Sequence, residues 1–315
     1  FNFVLKFLFM IDCRIVFMGS PEFAIPSLKT LASRFQVVGV ITQPDRPSGR
    51  GRTLTPPPVK VIAQELGIET IQPNRLRDAG VWEKLLEWAP DVIVVAAFGQ
   101  ILRQNVLDLP KFGCINVHAS LLPRWRGATP IQAAILHGDK VSGVSIMKMD
   151  AGIDTGPVLS QRRLPIEADD DSASLGIKLA VAGSELLLET LPAYLRGEIL
   201  PQTQDESQAT YAPMLKKEEG ELDFAQPAEY LERKIRAFFP WPCAYLVWEG
   251  NILKVKRAAV LQQSSLPQGK RSVVNKLPAI GTSDGVLLLR EVQPAGKKWM
   301  NGEEFLRGAR QWREI

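Results

Sequence analysis

The 315-residue chain lacks the sequence signatures of several common chemistries. It contains only three cysteines and two histidines, and no CxxC pair or His/Cys cluster has the spacing of zinc ligands. The GxGxxG fingerprint of dinucleotide-binding folds and the GxxxxGK(S/T) loop of nucleotide triphosphate-binding proteins are both missing. We therefore expect no metal site, and nothing in the sequence supports a nicotinamide or ATP cofactor.

Disulfides are not expected either. The cysteines are odd in number and far apart, at Cys13, Cys114 and Cys243. The first two lie in apolar runs of strand length, where a thiol is expected to be buried. Free buried thiols favour a reducing compartment, so we expect the protein to be cytoplasmic.

Long apolar runs are also scarce. The N-terminal stretch 1–11 is apolar except for Asn2 and Lys6, but it is shorter than the ~20 residues that a membrane span needs. It also lacks the small-residue cleavage site of a signal peptide. We therefore predict no membrane partner. Residues 1–12 are interpreted as a non-native or disordered extension, with Met10 as the natural start of translation.

The rest of the composition is that of an ordinary globular protein, with 45% hydrophobic and 23% charged residues. The length suggests about two domains. A formal net charge of +4 allows a polyanionic partner without requiring one. Most of the surplus lies near the end of the chain, since residues 233–315 contain 15 Lys and Arg against 6 Asp and Glu.

Strand-like and helix-like segments alternate along the first two thirds of the chain. Apolar runs of strand length lie at 13–18, 37–42, 92–97, 114–117 and 141–147. Helical patterns lie at 23–33, 59–66, 81–88, 131–137 and 172–195. This alternation predicts an α/β domain over residues 13–198, with a Rossmann-like, mostly parallel sheet covered by helices on both faces. Ligands of such sheets bind outside the carboxyl ends of the strands.

A polar stretch bracketed by prolines follows at 199–213, and we interpret it as an interdomain linker. Beyond it, one helical pattern and several short apolar runs predict a smaller β-rich domain over residues 214–315, an OB-like barrel. Its basic residues would bind phosphates in a salt-sensitive manner. A domain that serves solubility or oligomerisation is the alternative.

His118 is the best candidate for a catalytic residue. It follows a short apolar run and lies two positions after Asn116, so on a strand both side chains point to the same face. An amide donor beside an imidazole at a strand end suits proton transfer next to a developing oxyanion. On these residues alone, a core histidine bonded to a backbone carbonyl is equally well supported.

A turn-rich segment downstream, residues 149–157, carries two aspartates, Asp150 and Asp154. A carboxylate there can orient the imidazole of His118 and raise its basicity. Asp154 also begins the tripeptide Asp-Thr-Gly of aspartic proteases. Those enzymes need two such carboxylates that share a proton, whereas this chain has a single copy.

Taken together, Asn-x-His, the Ser-Leu-Leu-Pro that follows it and the Asp-Thr-Gly turn resemble the folate-dependent formyltransferase family. The resemblance implies transfer of a formyl group from 10-formyltetrahydrofolate to an amine. It also implies that Asn116, His118 and Asp154 are the catalytic residues. By the same resemblance, two loops bind the folate through Ser120, Leu121, Leu122, Pro123, Phe98 and Gly99. Arg103 departs from the family pattern, which usually has proline at that point.

Members of the family act on a purine-pathway amine, a sugar nucleotide or methionine carried by its initiator tRNA. The loop 43–53 holds Arg46, Arg50 and Arg52 on a Gly/Pro-rich frame. Taken alone, it could be a solvated surface loop. It resembles the loop that the tRNA-directed members insert at the acceptor end of the tRNA, where its arginines would pair with phosphates.

The resemblance therefore implies initiator methionyl-tRNA as the partner, and we expect a monomer. Two alternatives remain open. One is a sibling enzyme for a small-molecule amine or a sugar nucleotide, and the other is a nucleic-acid-binding protein that kept the fold without the chemistry.

Overall fold

The structure is a computed structural model that describes residues 11–48, 53–262 and 266–313. Its internal contacts divide the chain into two compact units. The first unit runs to Pro130 and resumes over Ser142–Pro165 and Gly176–Ala212. The second consists of Ile131–Val141, Ile166–Leu175 and the remainder of the chain from Pro213. Two short segments of the predicted 13–198 domain thus cluster with the later part of the chain.

Up to residue 212, most of the elements match the apolar and helical patterns of the sequence. The strands are β1 (Ile11–Gly19), β2 (Phe35–Ile41), β3 (Arg46–Ser48), β4 (Thr53–Thr55), β5 (Thr70–Ile71), β6 (Val92–Ala96), β7 (Cys114–His118), β8 (Arg126–Gly127), β9 (Val141–Lys148), β10 (Val158–Pro165) and β11 (Tyr211–Ala212). The α-helices are α1 (Ile25–Arg34), α2 (Pro58–Glu65), α3 (Val81–Trp88), α4 (Gln104–Leu107), α5 (Pro130–Leu136) and α6 (Ser172–Leu195). Short 3-10 helices lie at Glu22–Ala24 and Glu206–Gln208.

Seven strands form one sheet in the order β10-β9-β7-β6-β1-β2-β5. The pairs β1–β2, β1–β6, β2–β5 and β6–β7 are parallel, and β7–β9 is antiparallel. The prediction of a mostly parallel α/β sheet is therefore confirmed. Every residue of β6 and β7 is buried, which explains why β6 is a continuous apolar run and why β7 is apolar apart from Asn116 and His118.

Three features of this region differ from the predictions. Residues 11 and 12, assigned to the extension, belong to β1, while residues 1–10 lie outside the described part. The loop 43–53 contains two short strands, since β3 and β4 pair antiparallel on either side of residues 49–52. Strand β10 was not predicted, because its middle carries the polar residues Gln161, Arg162 and Arg163, which interrupt any continuous apolar run.

The strand order reverses between β1 and β6, and a crevice for ligands is expected at that point of such a sheet. The chain continues from β1 to β2 on one side, and β6 leads to β7 on the other. Gly19 ends β1 in this place. A Cβ atom there would lie 2.7 Å from the carbonyl oxygen of Ala96 and 2.9 Å from the Cβ of Ala24. Glycine therefore permits the carboxyl ends of β1 and β6 to pass close together.

The second unit is built around an antiparallel sheet. Its later elements are α7 (Ala228–Phe238), β12 (Ala244–Trp248), β13 (Asn251–Leu261), β14 (Arg271–Val274), β15 (Leu277–Gly281), β16 (Val286–Pro294), β17 (Met300–Asn301) and α8 (Gly302–Gly308), with 3-10 helices at Lys217–Gly220 and Arg310–Arg313. The strand order is β12-β13-β16-β15-β14, and β17 pairs with β16. The prediction of a smaller β-rich domain is confirmed.

One side chain joins the two ends of the strand order in the sheet of the second unit. Arg271 of β14, at one end of the strand order, donates a hydrogen bond to the carbonyl of Val247 in β12, at the other end (3.4 Å). The enclosed core contains Leu231 and Ile235 of α7 and the fully buried Trp312. Helix α7 thus covers the core with the apolar face that its sequence pattern predicted.

The cysteines are buried and free, as predicted. Burial raises the pKa of the Cys13 and Cys114 thiols to about 12, because the thiolate is poorly solvated inside the protein. Both thiols are therefore chemically inert at neutral pH. Across the described ranges, no helix combines the length and the apolar character that crossing a membrane requires.

Candidate active site

Asn116 and His118 lie at the carboxyl end of β7, between two neighbouring strands. The register places Asn116 opposite Val95 of β6 and His118 opposite Ser145 of β9. Both side chains are buried, with exposed fractions of 9% and 6%. A buried amide and a buried imidazole both need hydrogen-bonding partners. The sheet register therefore delivers two polar groups to one enclosed place.

The partner that these groups share is the carboxylate of Asp154. The Nδ2 atom of Asn116 donates to its Oδ1 atom at 3.4 Å, and the Nδ1 atom of His118 lies 3.6 Å from its Oδ2 atom. The second distance allows electrostatic attraction but is long for a hydrogen bond. The structure thus brings together the three residues that the sequence singled out as catalytic.

The second nitrogen of His118 also faces an acceptor. Its Nε2 atom lies 3.0 Å from the backbone carbonyl oxygen of Trp125. Trp125 has a φ of +59°, in the left-handed region, and this conformation belongs to the tight turn that returns the chain to the site. A core histidine bonded to a carbonyl was the open alternative. His118 makes that contact and faces the carboxylate as well.

Gly127 also binds the carboxylate of Asp154. Its backbone N–H donates to the Oδ2 atom of Asp154 at 2.8 Å. Its φ is +109°, and a Cβ atom at this position would lie 2.7 Å from the carbonyl oxygen of Ala212. Only glycine fits both requirements. The two neighbours of Arg126 in the chain therefore both reach the site: the carbonyl of Trp125 faces the imidazole, and the N–H of Gly127 donates to the carboxylate.

Sequence reasoning missed a second layer of polar groups behind Asp154. Arg126 is fully buried, and its guanidinium donates to the carboxylate of Glu206 at 2.7 and 2.8 Å. It also donates twice to the Oε1 atom of Gln204, at 2.9 and 3.1 Å. The hydrogen-bonded Glu206 carboxylate is the main reason why the pKa of the Arg126 guanidinium is raised. No local signal links Arg126 to partners 78 and 80 residues away.

These partners come from the stretch 199–213 that the sequence analysis interpreted as a linker. Within it, Thr210 accepts a hydrogen bond from the N–H of Trp125 through its hydroxyl (2.9 Å) and one from the N–H of Arg126 through its carbonyl (2.8 Å). Strand β11 pairs in parallel with β8. The last residues of the first unit are thus part of the framework of the site.

Hydrogen bonds from two side chains hold the backbone of the loop Ser120 to Pro123, which is predicted to bind folate. The hydroxyl of Ser145 donates to the carbonyl of Ser120 (2.7 Å) and accepts from the N–H of Leu122 (3.0 Å). The amide of Gln161 donates to the carbonyl of Leu122 (2.9 Å). The hydroxyl of Ser120 is itself occupied by the carbonyl of Arg124 (2.5 Å). This loop therefore offers backbone groups and the half-buried Leu121 and Pro123 to a ligand.

In the other predicted folate loop, at the end of β6, one of the two predicted residues is buried and the other is exposed. Phe98 is buried in a core that includes Met18 and Ile41, and its carbonyl accepts a hydrogen bond from Gln43 at 3.0 Å. Gly99 is exposed with a φ of +78°. Because the ring of Phe98 packs in the core, it shapes the loop from within, and of the two residues only Gly99 is exposed to a ligand.

Only part of the predicted arginine loop is described. Arg46 is exposed in β3, and its guanidinium donates to Gln43 at 3.2 Å. Arg50 and Arg52 lie outside the described residues. Lys60, another basic residue near the loop, is paired with Asp45 at 2.9 Å. Among the described residues, no group of three or more His, Cys, Asp or Glu side chains is arranged to hold a metal ion.

The sequence matches a family model described as formyl transferase over residues 13–191 and one described as formyl transferase, C-terminal domain, over residues 214–310. It is 49% identical over 295 residues to the methionyl-tRNA formyltransferase of Myxococcus xanthus, covering 94% of this chain and 95% of that one. It is 50% identical over 300 residues to the methionyl-tRNA formyltransferase of Bacillus pumilus, with coverage of 94% and 95%.

Among solved structures, HypX from Aquifex aeolicus in complex with tetrahydrofolic acid superimposes with a TM-score of 0.63. The two sequences are 18% identical, and the match covers 96% of this chain and 48% of that one. At this level of identity the likeness concerns the fold alone.

Substitution of Gly127 by alanine tests the close approach at the carboxylate. We expect Gly127→Ala to lower the free energy of unfolding by about 1–3 kcal/mol, because a strained φ is combined with a steric clash. Gly197→Ala is the matched control, since Gly197 has a φ of +75° but no described atom within 4 Å of the added Cβ. Denaturant titration measures both variants. Equal losses would show that the contact with Ala212 is unimportant.

Proposed function

The chain belongs to the formyl transferase family, and on that premise we propose that it transfers a formyl group from 10-formyltetrahydrofolate to the amino group of methionine on initiator methionyl-tRNA. Two observations support the acceptor: the names of relatives that are 49% and 50% identical over nearly the whole chain, and the arginine loop. The chemistry rests on one observation, the contact of Asn116 and His118 with one carboxylate at a strand end. The reaction serves the initiation of translation.

Asn116 is suited to stabilise the charge that develops on the formyl oxygen. When the amine nitrogen bonds to the formyl carbon, that oxygen becomes negative before the bond from carbon to the folate nitrogen breaks. A side-chain amide has two N–H donors. One of those on Asn116 is directed to Asp154, and the other remains to donate to the oxyanion. A preorganised donor of this kind typically contributes ~10²–10³ in rate.

His118 is suited to carry a proton through its Nδ1 atom. The Trp125 carbonyl at 3.0 Å is an acceptor and therefore favours the tautomer with the proton on Nε2. That leaves Nδ1 unprotonated, 3.6 Å from the carboxylate of Asp154. The sequence analysis expected Asp154 to orient the imidazole. The geometry supports a division in which Trp125 selects the tautomer and Asp154 stabilises the imidazolium once the proton has arrived.

A crevice for ligands is expected at the carboxyl ends of β1 and β6, where the strand order reverses. The two loops that the resemblance assigns to folate follow the neighbouring strands β6 and β7, and they offer the exposed Gly99 and the half-buried Leu121 and Pro123. Pockets for flat heterocycles are commonly apolar with a few fixed polar groups. Tetrahydrofolate bound to HypX, a protein of similar fold, is a further reason to place a folate-derived donor here.

The basic surface of the second unit supports a tRNA acceptor over a small amine. Some of the basic residues in this unit are already engaged: Lys256 and Arg257 contact Glu291, and Arg271 packs against the ring of Trp312. Others are exposed and available to phosphates, namely Lys254, Lys270 and Lys276. A sibling enzyme for a small amine or a sugar nucleotide would not need such a surface.

The proposal is tested by transfer of labelled formyl from 10-formyltetrahydrofolate, with methionyl initiator tRNA and free methionine as parallel acceptors. We expect label on the charged tRNA and none on free methionine. Label on free methionine at a comparable rate would support a small-amine enzyme. Label on neither acceptor would contradict the proposed reaction.

The catalytic assignment predicts large losses for two substitutions, one isosteric and one that removes the imidazole. We expect Asn116→Asp to lower kcat by ~10²–10³ and His118→Ala by ~10²–10⁴, with tRNA affinity unchanged. His137→Ala is the control, because His137 is the only other histidine and its ring bonds locally to the Ala133 carbonyl. Single-turnover rates and filter binding measure the two quantities. Substantial turnover by either active-site variant would refute the assignment.

The arginine loop predicts a salt effect. Loss of one phosphate contact in Arg50→Ala should weaken tRNA binding and reduce the slope of log K against log salt by about 1. Folate binding should not change. Arg196→Ala is the matched control, because Arg196 is an exposed arginine already paired with Glu198. Equal loss of folate binding in Arg50→Ala would mean that the loop has a structural role instead.

A further inference from the structure

We propose that Gln204 is a positioning residue for the formyl transfer, and that its amide holds the backbone of Asp154 so that the carboxylate faces His118. The inference rests on the proposed function and adds a residue that the catalytic set does not include. Gln204 is buried. It lies 50 residues after Asp154 in the chain, in the stretch that the sequence analysis interpreted as a linker.

The first step of the argument concerns the direction of the Gln204 amide. Its Oε1 atom accepts two hydrogen bonds from the Arg126 guanidinium, at 2.9 and 3.1 Å. A guanidinium has donors only, so it requires the oxygen of the amide on its side. Arg126 is itself held by the bidentate pair with Glu206. The buried arginine therefore orients Gln204, and the Nε2 atom must point the other way.

The second step concerns what the Nε2 atom reaches. It donates to the carbonyl of Asp154 at 2.8 Å and to the carbonyl of Gly156 at 2.6 Å. Both amide protons are thus used on the turn that presents the carboxylate. Asp154 has a φ of +53°, a conformation that costs free energy for a residue with a Cβ and persists only where the surroundings hold it.

The third step connects this turn to the reacting groups. With the backbone of Asp154 held by Gln204, the carboxylate receives the amide of Asn116 and the N–H of Gly127 and lies 3.6 Å from His118. A rotation of the turn would move all three contacts together. Gln204 touches no reacting atom, so its effect on the reaction passes through Asp154.

The variant Gln204→Glu distinguishes a residue that positions Asp154 for the reaction from one that only stabilises the fold. The new carboxylate still accepts from Arg126 but cannot donate to the two carbonyls. We expect kcat to fall roughly 10- to 100-fold, as for the loss of two hydrogen bonds, with KM for both substrates unchanged. Gln202→Glu is the matched control. It makes the same change two residues earlier, at an exposed side chain whose backbone pairs with Val158, and it should retain the parental kcat.

A second measurement does not depend on the reaction. The chain has only two histidines, so imidazole ¹⁵N NMR spectra contain one signal set from the site and one from His137 as an internal reference. At fixed pH, Gln204→Glu should move the signals of His118 and leave those of His137 in place. Unchanged His118 signals together with a parental kcat would overturn the inference.

Two further variants keep the inference open to refutation. The carboxylate added in Gln204→Glu could by itself disturb folding. Gln204→Met covers that case, because methionine is similar in size but has no donor, and it should give the same fall in kcat. If Gln204→Glu and Gln204→Met both unfold, Gln204 has a purely structural role and the proposal is overturned. Combined with Asp154→Asn, Gln204→Glu should cause no additional loss, whereas additive losses would show that it does not act through Asp154.

The outcomes also separate this inference from the proposed function. If the unaltered protein transfers formyl to tRNA and Gln204→Glu does so equally well with unchanged His118 signals, only the positioning role fails. If the unaltered protein transfers formyl to neither acceptor, the proposed function fails. The His118 signals of the same samples then still decide whether Gln204 sets the geometry around Asp154.

Discussion

The carboxylate of Asp154 is the place where separate segments of the first unit meet. It accepts hydrogen bonds from Asn116, 38 residues earlier in the chain, and from Gly127, 27 residues earlier, and it faces His118. A largely buried carboxylate is costly unless donors surround it. The same contacts that offset this cost also place an amide and an imidazole side by side. Stability and chemistry therefore depend on one local arrangement.

Close approach of backbone segments makes that arrangement possible. Gly19 lets β1 pass beside β6, and Gly127 lets β8 pass beside the carbonyl of Ala212. A Cβ atom on Gly156 would lie 1.9 Å from the carbonyl of Lys148, so the turn that carries Asp154 is packed against β9. Backbone groups are less mobile than long side chains. A site built on them keeps its geometry before any substrate arrives.

The two units differ in the physical range of their interactions. In the first, the proposed catalytic groups are largely buried and would act over hydrogen-bond distances, where a shift of a fraction of an ångström matters. In the second, lysines such as Lys254 and Lys276 are exposed, and the proposed attraction of phosphates would extend over about one Debye length, ~8–10 Å in physiological salt. The proposed division, with chemistry in the first unit and salt-sensitive attraction in the second, would suit an enzyme whose small reacting group is carried by a large polyanion.

The sequence by itself determined the central strands, whose apolar runs record burial on both faces, and the pairing of Asn116 with His118, whose spacing of two follows from strand geometry. It also identified Asp154 through the resemblance to a family. Only the tertiary structure decided the contacts of Trp125, Arg126 and Gln204. Their hydrogen bonds join residues as many as 85 positions apart, and such contacts leave no periodic trace in the sequence. Local patterns predict elements, whereas the partners of buried polar groups are settled by how those elements pack.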